Sequence, residues 1–208
     1  MNLIAAQSAN HCQRNWSDQT VPPDVVKTLS DIAVNMPTKQ NQEFYKLIVS
    51  TDQEYNNFVY LHGYDETDKM VMHLPFEDRH KTNRNTQLRA PLLFQWVFDS
   101  QRFHDAGLTH SKEELHNGVA HLSVGISAGA VSIAANSLGL KTGFCSCLHQ
   151  QPVKEKLEAL LNITVSNVYL TLGIGYPRED LPHNVCVRPD NTLAMQQIYK
   201  KNIIVHTL

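Results

Sequence analysis

Between residues 22 and 35 the apolar positions recur at helical spacing. Val25, Val26, Leu29, Ile32 and Ala33 share one face, and prolines occupy the first positions, where a missing N–H costs nothing. A helix is predicted there. It must stop at Pro37, because proline cannot donate to the preceding turn and pushes the residue before it out of helical geometry. Five polar residues, 38–42, then drop into an apolar strand over 44–49. Residues 36–50 thus read as an amide-rich loop held on a rigid strand edge, and such loops are where ligands are read.

The rest of the pattern alternates in the same way. Residues 1–9 read as a short amphipathic helix, and 52–80, mixed and acidic early on, as a helix plus a variable excursion. A basic, asparagine-rich loop over 80–89 leads into 92–98, whose continuous apolar character suits a strand buried on both faces. A long helix follows over 111–138, ending at Gly139, with small residues Gly118, Gly125, Gly129 and Ser132 three, four or seven apart. Such a stripe lets another backbone approach closely, either within the chain or in a symmetry mate. A strand at 143–148, a charged helix at 152–161, a strand at 165–173 and a last strand at 203–205 complete the reading. Strands interleaved with helices imply an α+β or α/β sandwich around one sheet, a single domain spanning 1–208.

Composition narrows the partners. The 208 residues suffice for one core that buries roughly 70 % of the unfolded chain's surface. Charged residues make up 18 %, below the about 25 % usual in soluble domains, which fits some surface being covered by a partner subunit. The net charge of −2 offers no electrostatic reason to bind nucleic acid or anionic membrane. No apolar run is read as reaching the ~20 residues a bilayer requires, and residues 1–10 lack the features of a signal peptide. A cytoplasmic protein is expected. Four cysteines do not make a disulfide scaffold in a chain this long; they read as free thiols in a reducing compartment.

Candidate chemistry is sparse. His11-Cys12-Gln13-Arg14, just before Trp16, brings a guanidinium fork, an imidazole and a thiol within a few residues, a set that could hold a phosphate. The eleven histidines otherwise share no face: His104, His110, His116 and His121 are scattered. No Gly-x-Ser-x-Gly elbow, Gly-x-Gly-x-x-Gly loop or Walker-type loop is present, so hydrolytic triads, Rossmann dinucleotide sites and P-loops are unsupported. Cys145, Cys147 and His149 would face one side of a strand, but without a second close-spaced ligand pair they read as buried residues rather than a metal site.

Set in order, these pieces carry a resemblance. His11-Cys12-x-Arg14-x-Trp16 resembles the opening motif of the nitroreductase-like FMN-dependent oxidoreductases, with Asn10 where that family has its first arginine and Cys12 where it has serine. The run from Pro37 to Gln42 before a strand looks like the family's Pro-Ser-x-x-Asn-x-Gln segment, and Asn83 lies where the family places an asparagine on the flavin ring. Ser127-Ala128-Gly129 onward through Leu138-Gly139-Leu140-Lys141-Thr142-Gly143-Phe144 is similar to its central helix and exit, and Gly175-Tyr176-Pro177 to its closing strand. The similarity spans residues 9–177.

That resemblance implies a three-layer α+β sandwich with a mostly antiparallel central sheet, a homodimer with FMN at the subunit interface. His11, Cys12 and Arg14 would hold the phosphate and ribityl end, helped by Lys200 or Lys201. Pro37, Thr38, Lys39 and Asn41 would reach the flavin from the other subunit, Asn83 would address its pyrimidine edge, and Phe144, Cys145 and Ser146 would line the opposite side. The implied reaction takes hydride from NADH or NADPH to a nitroaromatic, quinone or other small flat acceptor by ping-pong exchange. Because the hydride chemistry belongs to the cofactor, no acid–base dyad is needed. A flavin-sequestering protein without turnover, and a dehalogenating or flavin-fragmenting relative, are the alternatives.

Overall fold

The computed structural model describes residues 12–38, 41, 43, 45–62, 85–99, 110–146, 151–162, 165–187 and 193–195. In chain order these form helix α1 (Pro23–Asn35), strand β1 (Lys46–Ser50), helix α2 (Gln53–His62), a 3-10 turn (Thr86–Arg89), strand β2 (Leu92–Asp99) and the long helix α3 (His110–Ser137). Strand β3 (Lys141–Cys145), helix α4 (Gln151–Leu161), strand β4 (Val165–Gly175) and the short strands β5 (Val185–Val187) and β6 (Leu193–Met195) follow. The expected helix at 1–9, the excursion before residue 80 and the strand at 203–205 lie outside the described residues.

Local chemistry sets the element ends. Helix α1 begins at Pro23 with Asp24 in its first turn, where a carboxylate complements the exposed N–H groups, and it ends where Met36 turns extended ahead of Pro37. Helix α3 stops at Gly139, whose φ of +83° an L side chain rarely adopts. β3 then starts at Lys141, two residues earlier than its apolar content suggests, because its pairing with β4 runs from Lys141↔Gly175 to Cys145↔Thr171. The β5–β6 hairpin, only three residues a side, has no sequence signature strong enough to announce it.

The four long strands form one antiparallel sheet in the order β1-β2-β4-β3. This selects α+β over α/β. Alternate residues of β2 serve two cores. Leu92, Phe94 and Trp96 pack under α1 and α3 with Leu29, Ala33, Val124 and Val131. Leu93 and Val97 face the other way, against Tyr55 and Val59 of α2, Leu88 of the 3-10 turn, and Val153 and Leu157 of α4. Two helical layers therefore sandwich the sheet. A register shift between Trp96 and Val97 lets β4 turn Leu172 and Tyr169 into the first core and Val168 into the second.

At two points polar groups in these cores are paired across layers. Ser127 accepts the Trp96 indole N–H at 3.1 Å and donates to the Ala33 carbonyl at 2.8 Å, which ties α3 to the sheet and to α1. On the opposite face, Tyr55 donates to Gln95 at 2.5 Å. Burial pushes the Tyr55 phenol well above its ordinary pKa, outweighing the Gln95 hydrogen bond, so it stays neutral.

Within α3, Gly118–Ser137 holds an 18-residue window of mean hydropathy 1.5 and could span a bilayer by length and composition alone. The expectation that no run reaches this length needs that correction. Its Ala120, Val124, Ala128, Val131 and Ala135 are buried against α1 and the sheet, the packing of a core helix.

Gly173 on β4 sits where a Cβ would collide with the Gln87 carbonyl oxygen and lie 2.9 Å from the Ala90 Cβ. Gly173→Ala should destabilise the fold by about 2–3 kcal/mol through this overpacking, read as a lower urea midpoint at unchanged slope.

Candidate functional site

Residues 12–17 are an extended segment laid along the sheet rather than a solvated turn. Cys12 bridges Thr142 of β3 in parallel sense, and the Gln13 N–H donates to the Thr142 carbonyl at 2.8 Å. Further on, the Arg14 N–H donates to the His183 carbonyl at 3.1 Å and the Ser17 N–H to that of Tyr176 at 2.9 Å. The buried Asn15 amide donates to the carbonyls of Pro182 and Val185 and accepts from Gln13 at 2.6 Å. Trp16 closes the segment, its indole N–H donating to the Thr86 carbonyl at 3.0 Å. Side chains alternate in consequence, with Gln13 and Asn15 buried and Cys12 exposed.

Gln87 joins this segment to the sheet. Its side-chain oxygen accepts from Arg14 Nη1 at 2.8 Å, while its Nε2 donates to the Phe144 carbonyl at 3.2 Å. Arg14, Gln87 and Phe144 are thereby one connected wall at the β3 edge. Gly143 permits the approach, since a Cβ there would collide with the Gln13 carbonyl and lie 2.6 Å from Gln87 Cβ. Beyond Thr142 the outer edge of β3 pairs with no strand among the described residues.

The expected site residues distribute unevenly. Arg14 is half-buried and fixed by Gln87; Cys12, Phe144 and Ser146 are exposed. Cys145 is 3 % exposed and turned into the second core, so it offers that wall its backbone alone. Pro37, Thr38 and Asn41 belong to the loop between α1 and β1, where Asn41 takes a left-handed φ of +57° and donates its N–H to the Thr38 carbonyl at 3.2 Å. β1 and β3 are opposite edges of the sheet, about 14 Å apart as three inter-strand spacings. The two predicted walls therefore flank different edges of one chain. His11, Lys39, Asn83 and Lys200 lie outside the described residues.

Sequence reasoning missed Gln87. The signal was a polar side chain four residues after Asn83, close to a strand buried on both faces, where an amide must find partners.

Among the described residues, acid–base groups do not gather at this wall. Tyr169, like Tyr55, is pushed up by burial, and among the described residues no cluster of histidine, cysteine and carboxylate side chains could hold a metal.

The sequence profile of the Nitroreductase family matches residues 9–176. The chain belongs to the nitroreductase family. No curated protein matches this nitroreductase. Among solved structures it is similar to B. megaterium NfrA2, with 20 % identity and a TM-score of 0.66 over 88 % of this chain and 70 % of the other. A nitroreductase from Bacteroides fragilis, solved with bound FMN, aligns over 100 % of this chain and 99 % of its own at 14 % identity and a TM-score of 0.65. B. subtilis NfrA1 aligns over 86 % and 67 % at 18 % identity, with a TM-score of 0.63. Family membership supports an oxidoreductase.

Gln87→Leu keeps the volume and removes both hydrogen bonds, leaving the Phe144 carbonyl without that donor. A loss of about 1–3 kcal/mol in unfolding free energy is expected by chemical denaturation.

Proposed function

We propose that this nitroreductase is an FMN-dependent enzyme that takes hydride from NADH or NADPH and passes electrons to a small flat acceptor, a nitroaromatic or quinone, by ping-pong exchange. The observation that carries this reading is the Arg14–Gln87–Phe144 wall, because it joins two positions where the sequence resemblance puts flavin contacts.

The residues present fit a flavin. Arg14 supplies a charge-assisted donor, β3 past Thr142, an edge strand among the described residues, would supply backbone N–H groups, and Phe144, 37 % exposed, supplies an apolar flank. FMN bound there would supply the redox chemistry itself. Gln87 would keep Arg14 in place, and His11, Cys12 and Lys200 would serve the phosphate end. Asn83 would meet the pyrimidine edge, with Cys145 and Ser146 continuing the β3 side.

A homodimer completes the site in this reading. One chain holds the β3 wall at one sheet edge and the Thr38–Asn41 loop near the other, so Pro37, Thr38, Lys39 and Asn41 would meet a flavin held by a second copy. An apolar face supports that pairing: Leu122 and Ile126 on α3 are 63 % and 40 % exposed, and a Cβ at Gly118, Gly125 or Gly129 would meet nothing within 4 Å. Close packing inside the chain, one reading of the small-residue stripe, is realised only at Ser132, which is hydrogen-bonded to Thr142 at 2.7 Å. The free thiols of Cys12 and Cys145 suit a cytoplasmic, reducing setting.

The purified protein should show a flavin absorbance spectrum and oxidise NADH or NADPH when a quinone is added. Arg14→Ala should weaken FMN binding by about 2 kcal/mol, measured by flavin fluorescence titration. A colourless protein that stays colourless with added FMN would remove the proposal; flavin binding without turnover would leave a sequestering protein.

A further inference from the structure

A cleft of about 640 Å³ opens between α2 and α4 beside β1, the strand at one edge of the sheet. Its walls are mostly apolar: Ile48 and Val49 of β1, Phe58 and Leu61 of α2, and Leu160 of α4. Because β1 pairs only with β2 among the described residues, Ile48 and Val49 stay half-buried. Leu61 and Leu160 are large apolar side chains left exposed, a placement that is unfavourable until something apolar covers them.

Charge in the lining is unevenly spent. Lys156 is the one cation, and its ammonium lies over the Phe58 ring, 5.6 Å from the centroid. His62 packs against that ring, with 4.4 Å between centroids, and helps to fix it. Lys156 forms no salt bridge among the described residues. Two carboxylates also line the cleft, both at the start of α2. Asp52 is used there, its Oδ1 accepting the N–H groups of Glu54 at 2.9 Å and Tyr55 at 3.4 Å. Glu54 is in the first turn, where the positive end of the helix offsets a negative charge. The ammonium is therefore the charged group left to meet a ligand.

We infer that this cleft binds an apolar monocarboxylate, a fatty or aromatic acid whose body covers Phe58, Leu61 and Leu160 while its carboxylate meets Lys156. The volume is that of a small-ligand pocket, apolar with one charged group to fix orientation. A neutral apolar molecule would leave Lys156 unanswered, and an apolar cation would meet like charge. None of these residues belongs to the Arg14–Gln87–Phe144 wall, so the site is independent of the flavin reading.

The test is calorimetric titration of the full-length protein with octanoate, with 1-octanol and octylammonium as the uncharged and oppositely charged controls. Saturable octanoate binding is expected, at least tenfold tighter than that of octylammonium. Lys156→Gln should weaken octanoate about tenfold and leave octanol unchanged, whereas Leu160→Ser should weaken both. Both side chains are exposed, so both variants should keep the fold, which circular dichroism checks. Octanoate should bind equally well to protein saturated with FMN. No saturable octanoate binding, the outcome if a second copy or another segment of the chain covers the cleft, overturns the inference. So does octanoate binding that Lys156→Gln leaves unchanged or that FMN displaces. Should the protein take up no flavin, the proposed function fails, while titration of the flavin-free protein still decides the cleft.

Discussion

The close approach of backbone to backbone at the β3–β4 end of the sheet is the constraint on which the rest depends. Gly143 admits the Gln13 carbonyl, Gly173 admits the Gln87 carbonyl, and Gly175 leaves room for Pro91 and the Trp16 ring. With a side chain at any of the three, the extended segment or the 3-10 turn would have to move outward. Arg14 and Gln87 would then lose the geometry in which one holds the other against the Phe144 carbonyl. Three missing methyl groups thus do more for the site than any single hydrogen bond in it.

Topology adds a second constraint. The order β1-β2-β4-β3 sends the loop after α1 and the wall on β3 to opposite edges, with two fully built strands and both cores between them. No rotamer change brings them together. In the proposed reading a shared site needs two copies, and the outward face of α3, apolar and partly without side chains, is the surface offered for their meeting. In that reading neither copy is complete alone.

Much of this was legible in the residues. The period of Val25, Leu29 and Ala33 and the stop at Pro37 placed α1, the continuous apolar run placed β2, and Gly139 marked the end of α3, because helix period and breaker chemistry are local. The order of motifs made Arg14 a candidate site residue, and the structure ties it through Gln87 to the Phe144 carbonyl. Non-local facts were hidden: the start of β3 is set by its register with β4, Gln87 matters through partners 73 and 57 residues away, and Cys145 is turned inward by strand alternation. Gly143, Gly173 and Gly175 looked like motif letters, whereas their use is the absence of a side chain against a segment far off in sequence. The hydropathy of α3 belongs to a helix buried along one side.

The central claim, that a flavin sits between a wall from one chain and a loop from another, is tested most directly by complementation. Arg14→Ala and Asn41→Ala chains, each deficient in FMN binding alone, would be co-expressed with different tags, and bound flavin counted in the mixed dimer population. If the site is shared, each mixed dimer contains one intact site, and about one site in four across the whole population should bind FMN normally. Recovery of none, with mixed dimers demonstrably present, would place both residues in the same chain's site and contradict the account.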